Sequence, residues 1–397
     1  MSTLKVNSIQ HSNGTDALTI DSAGNTSFSG VVTGTPLGNR NLIINGDMRI
    51  DQRNGGATTG WAQGFIGIDR FRCRSDATIT TSNVTYEQST DVPSGQGFLK
   101  SMQLNCILAD TSLATDARYS IEHRIEGNNF SHLEFGTANA KTFTLSFWVK
   151  SNVTGTYSLT FANDDVSNIR RYMTTFTIDS ANTWEKKIIT VNGNTGGNWY
   201  TDNRIGLSMQ IVLVAGSSLL TSPYDWTNGG SAYNADTSQV NFISSTDNYF
   251  RLTGLQLEVG DTATPFEHRP YDMELARCQR YAYMIPNSDT TGVGDGALVS
   301  TSGYMTTGGN MAGIYCMPVT MRYTPVISVT GTSNLEIAYT DGTITTVNGT
   351  SVSLISHISN KNQILYLVTG SAHASQPAFL RYKDSTMSPV FLIEAEL

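Results

Sequence analysis

Short runs in which apolar and polar residues alternate constrain the fold of this chain more than any other feature. From Phe143 to Val149 every second residue is apolar, and Thr144, Ser146 and Trp148 lie between them. Successive side chains of a strand point to opposite faces, so such a run predicts a strand with one buried face. Turn clusters rich in Asn and Gly separate the runs and favour a β-sandwich of the jelly-roll kind. The clearest strands are predicted at residues 142–149, 157–161, 187–191, 205–214 and 250–259.

The composition also favours an all-β fold. Charged residues make up 15% of the chain, below the roughly 25% of an average soluble protein. Thr favours strands, and the abundant Gly and Asn supply positive φ angles at hairpin corners. At 397 residues and 43.1 kDa the chain exceeds the usual size of a single core, so we expect two or three domains.

Residues 1–40 are predicted to form short strands and a linker that cannot fold alone. Apolar residues alternate at Leu4, Val6 and Ile9, and two more short strands are expected before residue 33. About thirty residues of this kind bury too little surface to be stable by themselves. Three intertwined chains would supply the missing strand partners, which predicts an elongated homotrimer. A flexible tail is the alternative.

One short helix is expected, at residues 273–286. Asp272 is a candidate N-cap and Pro286 a stop signal. The helix is predicted because four residues recur on one helical face: Leu275, Cys278, Tyr281 and Ala282.

We interpret this helix as a junction between two β domains. Residues 41–272 would form the jelly-roll domain and residues 287–397 a C-terminal β domain. The pairs Asp341-Gly342 and Asn348-Gly349 are hairpin signals in the second domain. Its position at the end of the chain suggests a receptor-binding tip.

Charge and motif content exclude several classes of function. The net charge of -8 and a pI near 5.2 argue against nucleic-acid binding, which requires clustered basic residues. No apolar run has the length of a signal peptide core or a membrane span. Phosphate-loop, GxSxG, HExxH and EF-hand patterns do not occur. The four cysteines are predicted to be buried free thiols, with a zinc site or disulfides as alternatives.

Two segments resemble sequences of bacteriophage tail fibres. Residues 39–48, with residues 51–53 after them, resemble the opening strand of a widespread tail-protein domain. Residues 252–260 and 264–270 resemble its closing strand and exit, and residues 274–281 resemble the helix that follows. Together these segments bracket the predicted jelly-roll domain.

The start of the chain, at residues 4–10 and 14–20, is similar to N-terminal pieces of marine phage fibres. The resemblance implies a virion protein of the phage tail that is made in the host cytoplasm. Its N-terminus would join the tail or an adaptor protein, and its central domain would be similar to carbohydrate-binding modules. A structural calcium ion would be held by oxygens of the first and last strands, and the matching positions are Asn45, Asp47 and Glu258. Otherwise residues 45–47 form a turn.

Sugar sites combine flat aromatic faces, which stack on C–H surfaces, with amides and carboxylates that bind hydroxyl groups. Such mixtures occur on two loops, and in the alternative interpretation the aromatic rings fill the sandwich rim or a subunit interface. Trp148 is likewise either a rim residue packed under a loop or part of a sugar-facing surface. The loop candidates are Trp199, Tyr200, Asp202, Tyr224, Asp225, Trp226 and Tyr233.

The sequence therefore predicts a tail fibre subunit that mediates adsorption by binding host cell-surface polysaccharide. No catalytic residues are expected, because most Asp residues occupy turn contexts. One alternative is a tail protein that depolymerises the polysaccharide, which would need two carboxyl groups about 5–9.5 Å apart in a groove. The other is a purely architectural tail subunit.

Overall fold

The computed structural model forms two compact units, Met1–Arg40 and Asn41–Leu397. Only the backbone is described for residues 16–17, 26–28, 303–305, 310–315, 329, 335–339, 344–346, 352–354, 363–369, 377–382 and 391. The structure describes residues 6–10, 16–20, 22, 26–28, 38–75, 83–228, 235–284, 303–305, 310–329, 335–339, 344–346, 352–354, 363–369, 377–382 and 391–397.

The first unit contains a small antiparallel sheet. Its strands are β1 (Ser8–Gln10), β2 (Asp16–Ile20) and β3 (Thr26–Phe28), with β2 in the centre. Ser8 pairs with Thr19, and Leu18 pairs with Phe28. Three strands of three to five residues bury little surface. Assembly into a trimer remains a prediction.

The second unit begins with fourteen strands that build the central body. In chain order they are β4 (Thr59–Gly60), β5 (Phe71–Ser75), β6 (Val84–Ser89), β7 (Ser101–Cys106), β8 (Arg118–Glu126), β9 (Phe143–Ser151), β10 (Gly155–Ala162), β11 (Arg170–Ile178), β12 (Glu185–Val191), β13 (Ile205–Ala215), β14 (Leu220–Thr221), β15 (Tyr224–Asn228), β16 (Ala235–Asp236) and β17 (Tyr249–Val259).

Twelve of these strands form two six-stranded antiparallel sheets. Sheet I has the order β15-β11-β10-β13-β8-β5, and sheet II has the order β12-β9-β17-β7-β6-β4. The remaining two, β14 and β16, pair in parallel. All five clearest strand predictions agree with the structure to within two residues at each end. The predicted all-β fold with a β-sandwich is confirmed.

The core lies between the two sheets. Phe143 and Phe147 of β9 are fully buried and meet aromatic rings of sheet I, with centroids 5.0 Å apart in the pairs Phe143–Phe161 and Phe147–Phe176. Trp148 lies on the opposite face of sheet II and is partly exposed. The alternation in the sequence therefore assigns the two faces of β9 correctly.

Helical structure is brief. Helix α1 spans Gly127–Phe130, and three 3-10 turns span Ser131–Leu133, Ser217–Leu219 and Phe242–Ser244. Helix α2 spans Tyr271–Gln279. Within the described ranges, no helix is long and apolar enough to cross a membrane.

The prediction of a helix over 273–286 is wrong at both ends. Pro270 is the N-cap and makes no side-chain capping bond, while Asp272 lies in the first turn, where a carboxylate favours the helix dipole. The helix ends at Gln279 because the chain then enters strand β18 (Ala282–Met284), which pairs with the C-terminal strand. Tyr281 is buried beside Cys278 in a small core.

Nine further strands make up the C-terminal part. Strands β18, β27 and β21 form one antiparallel sheet with β27 central, and the others form a seven-stranded antiparallel sheet ordered β23-β22-β26-β19-β20-β25-β24. The division of residues 41–397 into separate domains stays a prediction. The strands are β19 (Gly303–Met305), β20 (Asn310–Cys316), β21 (Val326–Val329), β22 (Leu335–Tyr339), β23 (Ile344–Thr346), β24 (Val352–Leu354), β25 (Gln363–Thr369), β26 (Pro377–Tyr382) and β27 (Phe391–Glu394).

Cys73, Cys106 and Cys278 are buried and form no disulfide, as predicted. Cys316 is exposed, so its predicted burial is wrong. This cysteine is the last residue of β20, where the strand leaves its sheet and a side chain gains contact with solvent.

Candidate functional site

A cleft of about 380 Å³ opens on the outward face of sheet II. We call it the Trp148 cleft, after the aromatic side chain that β9 contributes. Its volume lies in the range of small-ligand sites, about 300–1,000 Å³. Four side chains with rings line it: Phe98, Trp148, Phe266 and His268. Three polar side chains without rings also line it: Gln96, Ser146 and Lys186. The remaining lining residues are Gly95, Gly254, Ala263 and Pro265.

Strand pairing places one side of the cleft. Trp148 lies between Lys186 of β12 and Thr253 of β17 in the cross-strand register. Directly paired residues of neighbouring strands point to the same face of a sheet, so Lys186 flanks the indole ring. Lys186 is exposed, whereas Thr253 is buried and donates a hydrogen bond to the Lys100 carbonyl at 2.8 Å. One flank of the ring is thus exposed and charged, and the other is buried and hydrogen-bonded.

Three rings form the opposite side. Phe98 lies 5.0 Å from Phe266 and 5.2 Å from His268 between ring centroids, and Phe266 lies 4.9 Å from His268. His268 Nε2 lies 3.0 Å from the Gln96 carbonyl oxygen. These contacts join the segment after β17 to the loop before β7.

Gly254 makes this arrangement possible. Its φ angle is +65°, and a Cβ atom there would lie 2.5 Å from the Phe98 ring. The register of β17 against β9 shifts between Thr253 and Gln256, as expected of a β-bulge. Only glycine combines this backbone conformation with so close an aromatic neighbour.

The predicted aromatic loop residues that the structure describes lie outside this cleft, and two of their rings, Trp199 and Trp226, pack against the core. Trp199 is 6% exposed and meets Phe135 at 4.8 Å and Trp226 at 5.3 Å between centroids. Trp226 donates its indole N–H to the Asn192 carbonyl at 2.7 Å. A buried ring offers no face to a sugar, so Trp199 fills the rim of the sandwich.

The other loop candidates are dispersed. Tyr200 is half-buried with the Arg204 guanidinium 3.5 Å from its ring centroid, and Asp202 pairs with Arg204 at 2.8 Å. Tyr224 pairs with Met173 at the edge of sheet I, and Asp225 is exposed. Tyr233 lies outside the described residues. A sugar-binding role stays a prediction for Tyr200, Asp202, Tyr224, Asp225, Trp226 and Tyr233.

The three candidate calcium ligands are engaged in hydrogen bonds and an ion pair. The Asn45 side chain accepts from Ile50 N at 3.0 Å and donates to the Ile50 and Asp69 carbonyls. Asp47 pairs with Arg49. Glu258 accepts hydrogen bonds from Thr264 and Gln256. No cluster of three His, Cys, Asp or Glu side chains that could hold a metal occurs in the part of the chain that the structure describes, and calcium binding stays a prediction.

The segments that resemble tail proteins are neighbours in space. Asn41 donates to the Leu255 carbonyl at 3.0 Å and accepts from Leu257 N at 3.1 Å. Arg269 is buried and pairs with Glu267 and Glu274, both at 3.1 Å. These side chains hold the opening segment against β17 and the start of α2, so their role is structural.

Sequence reasoning identified Trp148 as a candidate surface ring but missed Phe98, Phe266 and His268. The last two alternate in the exit segment that follows β17, which was a usable signal of a common face. Phe98 is far away in sequence, and only the fold brings it to the other rings.

The Trp148 cleft has the chemistry of a saccharide site. Aromatic faces can stack on the C–H surface of a sugar ring, and amide, hydroxyl and ammonium groups can bind its hydroxyls. No carboxylate occurs among the described lining residues, whereas hydrolysis of a glycosidic bond ordinarily uses two.

Solved structures with partial similarity include a phage protein and carbohydrate-binding modules. The enzymatically active domain of tailspike protein 4 of bacteriophage CBA120 has a TM-score of 0.31 and 16% identity, and the match covers 56% of this chain but only 22% of that chain. The CBM22-2 xylan-binding domain from Paenibacillus barcinonensis has a TM-score of 0.27 and 16% identity, over 51% of this chain and 99% of that one.

A family 11 carbohydrate-binding module of a cellulosomal cellulase from Clostridium thermocellum has a TM-score of 0.25 and 14% identity, over 54% of this chain and 99% of that one. No protein-family model matches the sequence, and no match is found among curated proteins. At these TM-scores, a ligand for this chain has to be inferred from its own residues.

Proposed function

We propose that this chain is an attachment subunit of a bacteriophage tail that binds host cell-surface polysaccharide and does no chemistry on it. The Trp148 cleft is the observation that carries the proposal. It combines a partly exposed indole and neighbouring aromatic rings with polar groups, in a volume that suits one or two sugar units.

The location in a phage tail rests on the resemblance of residues 39–53 and 252–281 to tail proteins. The contacts of Asn41 with Leu255 and Leu257 support it, because the resembling segments form one structural unit. Attachment through several weak sugar sites gains strength when copies engage one surface together, since effective concentration then replaces single-site affinity.

The first test measures retention of the purified protein by a panel of bacterial capsular and O-antigen polysaccharides, using affinity electrophoresis. We expect Trp148→Ala to weaken the affinity for a retained polysaccharide about tenfold, which corresponds to about 1.4 kcal/mol. Tyr200→Ala tests the predicted loop site instead, because it removes a half-buried ring outside the cleft. If the cleft is the site, this variant binds like the wild type. Unaltered binding by Trp148→Ala, or loss only in the Tyr200 variant, would refute the cleft as the site.

The same mixtures distinguish binding from depolymerisation. A protein that only binds releases no new reducing or unsaturated ends during prolonged incubation with the polysaccharide that it retains. Time-dependent appearance of such ends, dependent on the protein, would establish the depolymerising alternative.

A further inference from the structure

Three cations lie on the outward face of sheet II, in or beside the Trp148 cleft. Lys186 lines the cleft, and Lys150 and Arg251 pair with each other in the next cross-strand row. Asp91 is the carboxylate that meets this group, at 2.8 Å from Lys150 and 2.7 Å from Arg251. Two of the three cations thus contact one carboxylate, and Glu87 follows in the same row, linked to Arg251 through the side chain of Gln103.

The Asp91 carboxylate has three partners. In addition to the two cations it accepts a hydrogen bond from the indole N–H of Trp184 at 2.9 Å. Partial burial acts to raise the pKa of Asp91, but hydrogen bonds from Lys150 and Trp184 and the charge of Arg251 outweigh it and lower the pKa. The carboxylate therefore stays ionised at neutral pH and neutralises only part of the positive charge around it.

Lys186 is the cation that remains available. Among the described residues no carboxylate lies within ion-pair distance of its ammonium group, and the side chain is exposed at the mouth of the cleft. The next residue, Lys187, differs in this respect, since it pairs with Asp179 at 3.0 Å and with Glu185 at 2.5 Å. A lysine on an edge strand often serves only to prevent strand addition. Lys187 and Lys186 would share that role, but only Lys186 lines a cleft that holds an aromatic platform.

We propose that the Trp148 cleft takes an acidic sugar, whose ring stacks on Trp148 while its anionic substituent pairs with Lys186. This inference rests on the proposed function and narrows its ligand to polysaccharides that carry carboxylate, sulfate or phosphate groups. Lys150 and Arg251 lie in the next row and offset the negative charge of Asp91, so that this carboxylate is not an unpaired anion beside a bound polyanion.

The experiment compares acidic capsular polysaccharides that contain uronic acids with the same polymers after chemical reduction of their carboxyl groups. Reduction keeps the backbone and removes the charge. We expect the wild-type protein to bind the acidic form at least threefold more tightly than the reduced form at 50 mM NaCl, and the difference to shrink at 500 mM NaCl because salt screens the pairing. Binding is measured by isothermal titration calorimetry.

Two variants locate the effect. Lys186→Gln should lower the affinity for the acidic form three- to tenfold and leave the affinity for the reduced form unchanged. Lys187→Gln is the matched control, one residue away on the other side of the strand, and should change neither affinity. Thermal unfolding of both variants checks that the fold is intact.

The outcomes separate this inference from the function on which it rests. Equal affinity for the two forms, or an unchanged affinity in Lys186→Gln, overturns the acidic ligand even if Trp148→Ala weakens binding as expected. Absence of binding to both forms by the wild-type protein across the panel counts against the proposed function itself.

Discussion

Trp148 and Trp199 show how the surroundings of a residue decide its role. Both are tryptophans, but Trp148 lies between Phe147 and Val149, whereas Trp199 follows a turn rich in Gly and Asn. Trp148 lies on the outward face of an amphipathic strand, so its ring borders a cleft. Trp199 lies on a loop that folds over the end of the sandwich, where rings of Phe130, Phe135 and Trp226 enclose it. Strand periodicity predicts the first case, but no local pattern predicts the second.

His123 is a residue at which burial produces a pH dependence. It lies on β8, is 1% exposed, and contacts the backbone of Ile44. Burial and the positive charge of Arg70 lower its pKa from 6.5 to about 3. The folded protein therefore binds this proton less readily than the unfolded chain, so stability is full above pH 6.5 and is lost as the pH falls towards 3.

We expect replacement of His123 by Phe to remove this contribution. As the pH falls from 7 to 4, the wild type should lose up to about 3 kcal/mol of unfolding free energy that the variant does not lose. Urea titrations at a series of pH values measure it. If the unfolding free energies of the two proteins changed with pH in parallel, His123 would not be a neutral buried imidazole.

At the scale of elements, the C-terminal strand β27 is held against the body by buried charges. Arg70 has a fully buried side chain, pairs with Glu396, and lies 3.6 Å from the centroid of the Tyr281 ring. Arg53 pairs with Glu394 and with Glu396, both at 2.9 Å. These ion pairs join residues more than three hundred positions apart, and β18 pairs with β27 beside them.

Substitution of Arg70 by Met should destabilise this junction strongly. The largely buried Glu396 then keeps only Arg53 as a counter-ion, and the contact of the Arg70 guanidinium with the Tyr281 ring is lost, so we expect a loss of about 2–3 kcal/mol in unfolding free energy. Hydrogen exchange should accelerate first in β18 and β27. Arg204→Met is the control, because both Arg204 and its partner Asp202 are about half exposed, and an exposed pair contributes about 1 kcal/mol or less. Equal losses in the two variants would refute the special role of the buried pair.

The two predicted hairpins show how far a short turn motif predicts strand pairing. Strands β22 and β23 flank Asp341-Gly342 and pair as the hairpin signal predicts. Strands β23 and β24 flank Asn348-Gly349, yet they lie at opposite edges of the seven-stranded sheet, so that predicted hairpin is wrong. A short turn motif indicates that the chain reverses direction. Which strand then pairs with which depends on the other strands that the fold brings nearby.

At the scale of the whole molecule, the prediction that remains to be measured is assembly. The described residues of the first unit form one small sheet of three strands, and such a sheet is expected to need other copies for stability. Light scattering of the full chain should give a mass about three times 43.1 kDa. A cooperatively folded monomer with an intact first unit would contradict the trimer.

The amino-acid sequence by itself determined the strands and their two faces, because the period of two in residues such as Phe143, Leu145 and Phe147 is a local property of the backbone. It also indicated Trp148 as an outward ring. Only the tertiary structure decided that Phe98, Phe266 and His268 lie opposite that ring and that Trp199 is enclosed. It also decided that helix α2 ends at Gln279 and is followed by a strand. Each of these depends on contacts between distant segments, and the energy of such contacts is not encoded in any short stretch of chain.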